Sequence, residues 1–430
     1  MPLDTPPRGR LNTGVRRGGV ALRHRNFRLF WTGQLVSLAG TWMQVVAQGW
    51  LVLQLTNDAF LLGVVTAAQF FPVLVFGLFG GLIADALPKR RTLIATQAAS
   101  MLLALVLGLL TATGLVQVWQ IVVLALLLGT VNAFDMPTRQ AFVIEMVGRA
   151  DVVNAVGLNS AAFNGARIVG PAIGGLVIGA VGIAACFFIN AASFVAVIAS
   201  LLLMREGELR PFVAARVERT AGAVVENLAE GLRYVRRTRV VLLAVVVVGL
   251  VSMFGMNFTV IMPVLARDVL GVEASGLGFL MAATGVGSVA SALSIAYLGR
   301  PSPRFILAGA AIAGILEIAV AFVRSFPLAL VCAAGIGAGA IGMAATANTT
   351  IQLAVPDELR GRAMSVFTTV FTGTAPFGGL LIGAMISQYG APAAFVFGGT
   401  ASLLVAAVAY LVSRPWLRTA LAPRISSTRA

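Results

Sequence analysis

The polar side chains that could bind a ligand are few, and one ordered set of them stands out near the beginning of the chain. Five polar residues recur at spacings of three and four positions: Gln34, Ser37, Thr41, Gln44 and Gln48. That spacing places them along one face of an α-helix. Their hydroxyl and carboxamide groups bind through hydrogen bonds. The pattern favours the wall of a wet cavity, and hydrogen bonding between packed helices is the alternative.

One basic residue stands inside an otherwise apolar run. Arg167 lies near the middle of residues 152–180, where a guanidinium that faced lipid would cost about 2.5 kcal/mol or more. Ser160 and Asn164 precede it at helical spacing, so the three side chains can share one inward face. Its expected partners are backbone carbonyls, the more distant Asp135, or an anionic group of a cargo. We expect Arg167 to face the cavity and favour anionic or strongly accepting amphipathic cargo, and a buried arginine bonded to carbonyls of a neighbouring helix is the alternative.

The residue types that catalysis needs are scarce. His24 is the single histidine, and the apolar runs contain no paired carboxylates. No GxxxxGKS/T loop is present to hold nucleotide phosphates. Cys186 and Cys332 both lie in or at the edge of apolar runs, which excludes a disulfide framework. The sequence therefore favours neither an enzyme nor an ATP-driven pump, and we expect no metal site and no bound cofactor.

The elements that must position these residues are membrane helices. Apolar residues make up 59% of the 430 residues, and charged residues only 11%. Runs of about 20 apolar residues, the length that crosses a bilayer, recur throughout the chain. We place spans, numbered helix 1 to helix 12 in this order, near 27–55, 60–84, 92–113, 117–136, 152–180, 183–204, 239–265, 274–298, 305–323, 327–350, 363–387 and 392–413. The expected fold is an all-α integral membrane protein with twelve transmembrane helices, six on each side of residue 220.

The placement of the basic residues decides what the net charge of +15 means. Alternate loops and the two ends hold 28 of the 31 lysines and arginines, which by the positive-inside rule makes those loops and both termini cytoplasmic. We therefore expect a multi-pass protein of the cytoplasmic (inner or plasma) membrane, with the lipid bilayer and not nucleic acid as its partner. The predicted parts are a cytoplasmic tail (1–26), a six-helix half (27–204), a central cytoplasmic loop with an amphipathic helix (205–238), a second half (239–413) and a cytoplasmic tail (414–430).

A glycine-rich stretch occurs twice and relates the two halves. NGARIVGPAIGGLVIGA at 164–180 is repeated as TGTAPFGGLLIGA at 372–384. Each glycine inside a helix costs about 1 kcal/mol relative to alanine, so close packing of helices must compensate. The candidate packing residues are Ala166, Gly170, Pro171, Gly174 and Gly175 in the first copy, and Pro376, Gly378 and Gly379 in the second. The repeat predicts two pseudo-symmetric halves. Aligning Pro171 with Pro376 places Thr372, a further cavity candidate, opposite Arg167.

The segment GGLIADALPKRR at 80–91 resembles the loop motif of the major facilitator superfamily. Gly81, Asp85, Lys89 and Arg90 are in register with that motif, although an alanine and a proline replace an arginine and a glycine. The resemblance implies that Asp85 meets the positive N-terminal end of helix 11 and latches the cytoplasmic side shut. It also implies that Asp135 can join this cluster. A local ion pair between Asp135 and Arg139 is the alternative.

Other stretches extend this resemblance over nearly the whole chain. Helix 5 is similar to the fifth-helix motif of superfamily antiporters, and ALRHRNFRLFWTGQ, FDMPTRQAF and VPDELRGRAMSV also match. The chain is most similar to the drug-exporter branch that includes transmembrane secretion effectors of the enterobactin-exporter type and macrolide efflux pumps. This implies the major facilitator fold and export of a small amphipathic molecule, siderophore or drug-like, by alternating access. Proton-coupled antiport and a monomeric state are expected.

Three alternatives stay open at this point. The chain could be a multidrug or macrolide pump for neutral or cationic drugs, and a membrane-embedded enzyme or a scaffold is the rival from another class.

Thr284 and Ser288 share a face of helix 8 and are candidate cavity residues. Glu317 is the only acidic residue well inside a predicted span. Because the resemblance makes helix 9 peripheral, we expect Glu317 to be bonded between helices or to reach toward the interface.

Overall fold

The computed structural model describes residues 19–210, 221–298 and 302–419, with side chains described except at 78–86, 221, 223–225, 296, 298 and 416–419. These ranges are almost entirely helical and contain no strand. The helices are α1 Arg25–Thr56, α2 Ala59–Ala86, α3 Lys89–Ala112, α4 Val118–Val181, α5 Ile183–Leu202, α6 Ala221–Arg237, α7 Arg239–Phe254, α8 Phe258–Val264, α9 Ala274–Leu298, α10 Pro303–Phe322, α11 Phe326–Ala354, α12 Asp357–Gly373, α13 Ala375–Tyr389 and α14 Ala391–Thr419. Within the described residues, eleven helical segments are long and apolar enough to cross a membrane.

The longest helix, α4, bears on how often the chain crosses the membrane. Its 64 residues would extend about 96 Å if unbroken, about three times the hydrocarbon core of a bilayer. At Gly148 the backbone leaves helical geometry, with φ 76° and ψ 174°, a region adopted essentially by glycine alone. We name residues 118–147 the first arm of α4 and residues 149–181 its second arm. The two arms accommodate two of the predicted spans, and the total of twelve stays a prediction.

Buried side chains form three large clusters, and their arrangement shows how the halves meet. The shared core draws on both halves and includes Val52, Leu62, Leu265, Leu277 and Ile382. The first-half core includes Phe27, Phe142 and Leu201, and the second-half core includes Val247, Met343 and Phe367. Both single-half cores lie at the helix ends next to the basic loops, which we call the basic-loop side. The halves therefore close against each other on the opposite side and have separate cores on the basic-loop side.

Two helix pairs and one arginine join the halves on the side opposite the basic loops, which we call the closed side. Helix α2 packs along α13, and the second arm of α4 packs along α9. Arg267 donates hydrogen bonds to the Leu53 carbonyl, at 2.8 Å, and to the Asn57 side chain, at the end of α1. These contacts join the two halves where the shared core lies.

Two predicted single spans are each interrupted in the structure. The span at 239–265 breaks between α7 and α8, where the Asn257 side chain donates to the Met253 carbonyl at 2.8 Å, in place of the backbone N–H of a continuous helix. The span at 363–387 breaks between α12 and α13, because Pro376 has no N–H for the Thr372 carbonyl. The segment between the predicted spans 117–136 and 152–180 was expected to be a loop. It is instead helical through residue 147, since Phe142 is buried in the first-half core.

Contacts with the helix bundle hold both the start of the described chain and the central helix. In the predicted N-terminal tail, the Ala21 N–H donates to Asn154 at 3.0 Å and His24 lies 2.8 Å from Asp151. Residues 1–18 and 420–430 lie outside the described residues, and α14 continues to Thr419. Helix α6 falls in the predicted central loop, but it packs on α12 through an ion pair between Glu230 and Arg362. Val235 of α6 is buried in the second-half core, so part of the apolar face of this helix is covered by protein.

Candidate functional site

A cavity of about 940 Å³ lies between the halves. All five polar residues of α1, from Gln34 to Gln48, line it, together with Asn164. Its wall reaches Gln140 and Gln352, near the basic-loop ends of the first arm of α4 and of α11. Because the shared core closes the other side, the cavity opens toward the basic loops. Contact of these residues with a substrate stays a prediction.

The cavity wall is rich in carboxamides and aromatic rings. Its carboxamides are Gln34, Gln44, Gln48, Gln69, Gln97, Asn132, Gln140, Asn159, Asn164, Asn190, Asn348 and Gln352, and its aromatic residues are Phe30, Trp42, Phe70, Phe163 and Phe194. Each carboxamide offers both donors and an acceptor, and each ring offers a large apolar face. Such a wall suits a molecule with apolar rings or chains and scattered polar groups.

Only two charged residues, Asp135 and Arg139, belong to the described cavity lining, and they pair with each other. Arg139 Nε donates to Asp135 Oδ2 at 3.0 Å, and another guanidinium nitrogen donates to Gln34. The other carboxylate oxygen of Asp135 accepts from Thr96 at 2.7 Å and from Gln97 at 2.9 Å. The side chains of α1, α3 and the first arm of α4 thus form one network with no net charge.

This network decides between the two expectations for Asp135. The carboxylate forms the local ion pair with Arg139 and does not join Lys89, whose ammonium lies 2.8 Å from Glu145. Arg90 donates to the Leu201 carbonyl at 2.7 Å and also pairs with Glu206. The side chains of Gly81 to Ala86, including Asp85, lie outside the described residues. The predicted latch between Asp85 and the span at 363–387 therefore stays a prediction.

A buried amide pair was missed by the sequence reasoning. Asn190 of α5 donates to Gln44 at 2.6 Å, and both residues line the cavity. The signal was a lone asparagine in an otherwise apolar run, because a buried carboxamide requires a partner. Glu145, the partner of Lys89, was missed because spacing along the chain does not show which acid lies across a helix pair.

The two adjacent glycines of the repeated motif have different neighbours. A Cβ on Gly174 would lie 3.1 Å from the Cα of Met43, in α1 of the same half, and Gly170 and Ala166 are buried beside it. A Cβ on Gly175 would lie 2.6 Å from the carbonyl oxygen of Ala274, in α9 of the other half. Pro171 also faces α9 through its carbonyl.

The second copy repeats this division. A Cβ on Gly378 would lie 2.8 Å from Oδ1 of Asn257, in its own half, and one on Gly379 would lie 3.3 Å from Thr66 of α2, in the other half. Pro376 is buried beside them. In both copies the first glycine therefore allows packing within a half, and the second allows contact between the halves.

Four candidates from the sequence do not appear in the cavity lining: Thr284, Ser288, Thr372 and Arg167. Thr284 and Ser288 are buried between α9 and α11, and their hydroxyls donate to backbone carbonyls, at 3.0 Å to Leu280 and 2.7 Å to Thr284. Thr372 is half-buried outside the lining. Helical spacing fixes the face on which such residues lie, but not which neighbouring helix covers that face.

Arg167 lies at the edge of the cavity. Its guanidinium carbon is 5.6 Å from the ring centre of Trp42, which does line the cavity, in the geometry of a cation–π contact. It makes no ion pair with an acid in the described part of the chain. The expected carbonyl partners and the expected ion pair with Asp135 are both absent from the described residues.

Known proteins resemble this chain over its length. The multidrug efflux pump Tap of Mycolicibacterium fortuitum is 30% identical over 389 residues, which cover 88% of this chain and 94% of Tap. The Staphyloferrin A transporter of Staphylococcus aureus is 24% identical over 393 residues, which cover 90% of this chain and 96% of that protein.

Solved structures share the fold. A mutant of the nucleoside transporter NupG matches with a TM-score of 0.74 at 12% identity, covering 90% of this chain and 99% of NupG. A bacterial homologue of the human lysosomal transporter Spinster, inward-facing and occupied, matches with a TM-score of 0.73 at 13% identity, covering 92% and 98%. Residues 19–427 match the family described as transmembrane secretion effector. The chain therefore belongs to the transmembrane secretion effector family and has the fold of the major facilitator transporters.

Proposed function

We propose that this protein exports a small amphipathic molecule across the cytoplasmic membrane by proton-driven antiport, as a monomer with both termini in the cytoplasm. The cavity between the halves carries this proposal, because it opens on the basic-loop side and is closed on the other. Rocking of the two halves around such a site would expose it to each side in turn. Multidrug efflux by the related pump Tap agrees with an efflux role, and the related Staphyloferrin A transporter agrees with a role in transport.

The cavity wall favours cargo that is uncharged or weakly charged. Its only charged residues in the described lining, Asp135 and Arg139, neutralise each other. Cargo would bind through apolar contact with rings such as Trp42 and Phe163 and through hydrogen bonds to the many carboxamides. Drug-like amphipathic compounds fit this chemistry.

Asp135 is the candidate carrier of the coupled proton. The carboxylate is 2% exposed and is held by Arg139, Thr96 and Gln97. A proton on Asp135 would remove the charge that holds Arg139. The guanidinium, which already donates to Gln34 in the cavity wall, would then be free to move into the cavity. Proton binding and cargo binding would thus act on one network, which is what exchange of a proton for cargo requires.

An anionic siderophore is the second candidate cargo, and Arg167 favours it. Its guanidinium stacks on Trp42 without an acidic partner in the described residues, so an anionic group bound near Trp42 would meet an unneutralised cation. One relative is the Staphyloferrin A transporter. The compound panel below separates this candidate from the first.

Inverted membrane vesicles with a pH-sensitive dye inside test the proposal. Neutral, cationic and anionic amphipathic compounds should each be tested for uptake into acid-loaded vesicles and for the proton release that accompanies it. Asp135→Asn should abolish the coupled proton release, and Glu145→Gln, which removes an acid outside the cavity lining, is the matched control. Uptake of no compound by the wild type, or full proton coupling in Asp135→Asn, would contradict the proposal.

A further inference from the structure

Glu317 is buried in α10, away from the cavity. Its side chain is 3% exposed, and it does not belong to the cavity lining. Phe322, the last residue of α10, lies five positions further along the chain, about 7.5 Å along the helix. That end lies on the side opposite the basic loops. The mechanism proposed above does not use this carboxyl group.

The oxygen atoms of Glu317 and Ser402 converge on the break between α7 and α8. A Cβ on Gly255 would lie 2.8 Å from Ser402 Oγ, 2.9 Å from Glu317 Oε1 and 3.0 Å from Glu317 Oε2. A Cβ on Gly398 of α14 would lie 3.5 Å from Oε2 of the same carboxyl group. Two glycines thus leave the space that this carboxyl occupies at the junction of α7, α10 and α14.

The two polar groups at this junction have unused hydrogen-bonding capacity. Glu317 Oε2 and Ser402 Oγ are both buried, and neither has a hydrogen-bond partner among the described residues. An ionised carboxylate would need a cation or several donors to offset its loss of water. A neutral carboxylic acid needs only one acceptor for its proton, and the hydroxyl oxygen of Ser402 faces the same point.

Among the described residues no ion pair neutralises Glu317, and Arg324, just past the end of α10, donates instead to the Ala321 and Val323 carbonyls. In the described parts of the helices that pack on α10, the titratable side chains are Arg239 of α7, Cys332 of α11, and Tyr410 and Arg414 of α14. Arg239, Tyr410 and Arg414 lie at the basic-loop ends of their helices, far along each helix from Glu317. Cys332 lies at a similar depth and carries no positive charge.

We propose that Glu317 is a proton-binding site separate from the cavity, that it holds a proton in the conformation described here, and that the break at Gly255 responds to its charge. Loss of the proton would put an unpaired negative charge beside the point where α7 ends and α8 begins. That charge would favour another arrangement of this junction, so protonation and the shape of α7 and α8 are linked. The link to transport rests on the proposed proton-driven export, but the site itself does not.

Infrared spectroscopy of the full-length protein in lipid nanodiscs tests the site without transport. A protonated carboxyl in an apolar site gives a C=O stretching band that ionised carboxylates lack, and the band shifts in heavy water. The wild type and Asp135→Asn should show this band at neutral pH, and Glu317→Gln should lose it. Ser402→Ala should shift the band, because it removes the facing hydroxyl. Absence of the band from the wild type, or its persistence in Glu317→Gln, would overturn the proposal.

The Ser402→Ala variant also decides the case if Glu317→Gln does not fold, since an unshifted band there would place the proton elsewhere. Vesicle transport tests the link to export. Glu317→Gln should still equilibrate cargo down its gradient but should lose accumulation driven by a pH gradient. Accumulation equal to the wild type would refute the link. If wild-type vesicles moved no cargo at all, the proposed function would fail, whereas the infrared result would still decide whether Glu317 binds a proton.

Discussion

A methyl group added at Gly175 should shift the protein away from the conformation in which the side opposite the basic loops is closed. The new Cβ would lie 2.6 Å from the Ala274 carbonyl oxygen and 2.9 Å from the Cα of Ser275. These are backbone atoms of α9, so no side-chain rotation relieves the contact. Because carbon atoms pack at about 3.5 Å or more, the two helices would have to separate by about 0.6 Å.

The energetic cost falls on one conformation. Overpacking of this kind costs about 1–3 kcal/mol, and the contact exists only while the second arm of α4 and α9 are pressed together. The equilibrium between conformations should therefore shift by about 5- to 150-fold. The favoured conformation is the one in which the side opposite the basic loops is open. The fold itself should survive, because the contact joins the halves and is not within either half.

Cysteine labelling measures the shift. A cysteine at Gln352 reports on the cavity mouth, and one at Asn57 reports on the closed side, where Arg267 now contacts the asparagine. The native Cys186 and Cys332 are buried, so the introduced cysteines should dominate the signal. In Gly175→Ala, the labelling rate should fall at position 352 and rise at position 57.

The adjacent glycine supplies the control. In Gly174→Ala the new Cβ would lie 3.1 Å from the Cα of Met43, within the same half. This variant should lower the thermal stability of the protein and leave the ratio of the two labelling rates unchanged. If Gly174→Ala and Gly175→Ala gave the same labelling pattern, the division of roles between the two glycines would be wrong.

Three further predictions follow from the fold and the site. Gly148→Ala should lower the free energy of unfolding by about 1–3 kcal/mol, because a side chain is strained at φ 76° and ψ 174°; thermal unfolding in detergent measures this, and an unchanged midpoint would contradict it. Arg167→Gln should lose anionic cargo selectively while Arg167→Lys keeps part of it, as measured with the vesicle compound panel, and equal loss for every compound would refute a role in charge selection. Cysteines placed in 89–91, 205–238 and 360–362 should react with impermeant reagents only after cells are opened, and labelling from outside at any of them would reverse the topology.

The sequence was sufficient for the features that depend on periodicity. The polar residues of α1 could be placed on one face because helical spacing orders side chains around an axis, and that face does line the cavity. The matching of Gly174 with Gly378 followed from the repeat, and their neighbours in α1 and next to α8 are equivalent in the two halves. These predictions needed no knowledge of which helices touch.

The features that depend on contacts between helices could not be predicted. Lys89 pairs with Glu145, and Gln44 with Asn190, because packing brings together residues that are far apart in the chain. The same limit explains why Thr284 and Ser288 are packing residues although their face resembled a cavity wall. The sequence showed that Arg167 must avoid lipid, but the stacking on Trp42 depends on where α1 lies against the second arm of α4.

The shared core has a consequence for how the protein is made. Residues such as Val52 and Leu62 emerge from the ribosome long before Leu265, Leu277 and Ile382, which complete the cluster around them. The first half therefore has a finished core only on its basic-loop side, around Phe27, Phe142 and Leu201, until the last helices are inserted. During synthesis, lipid or the insertion machinery must cover the surface of the first half that the second half later occupies.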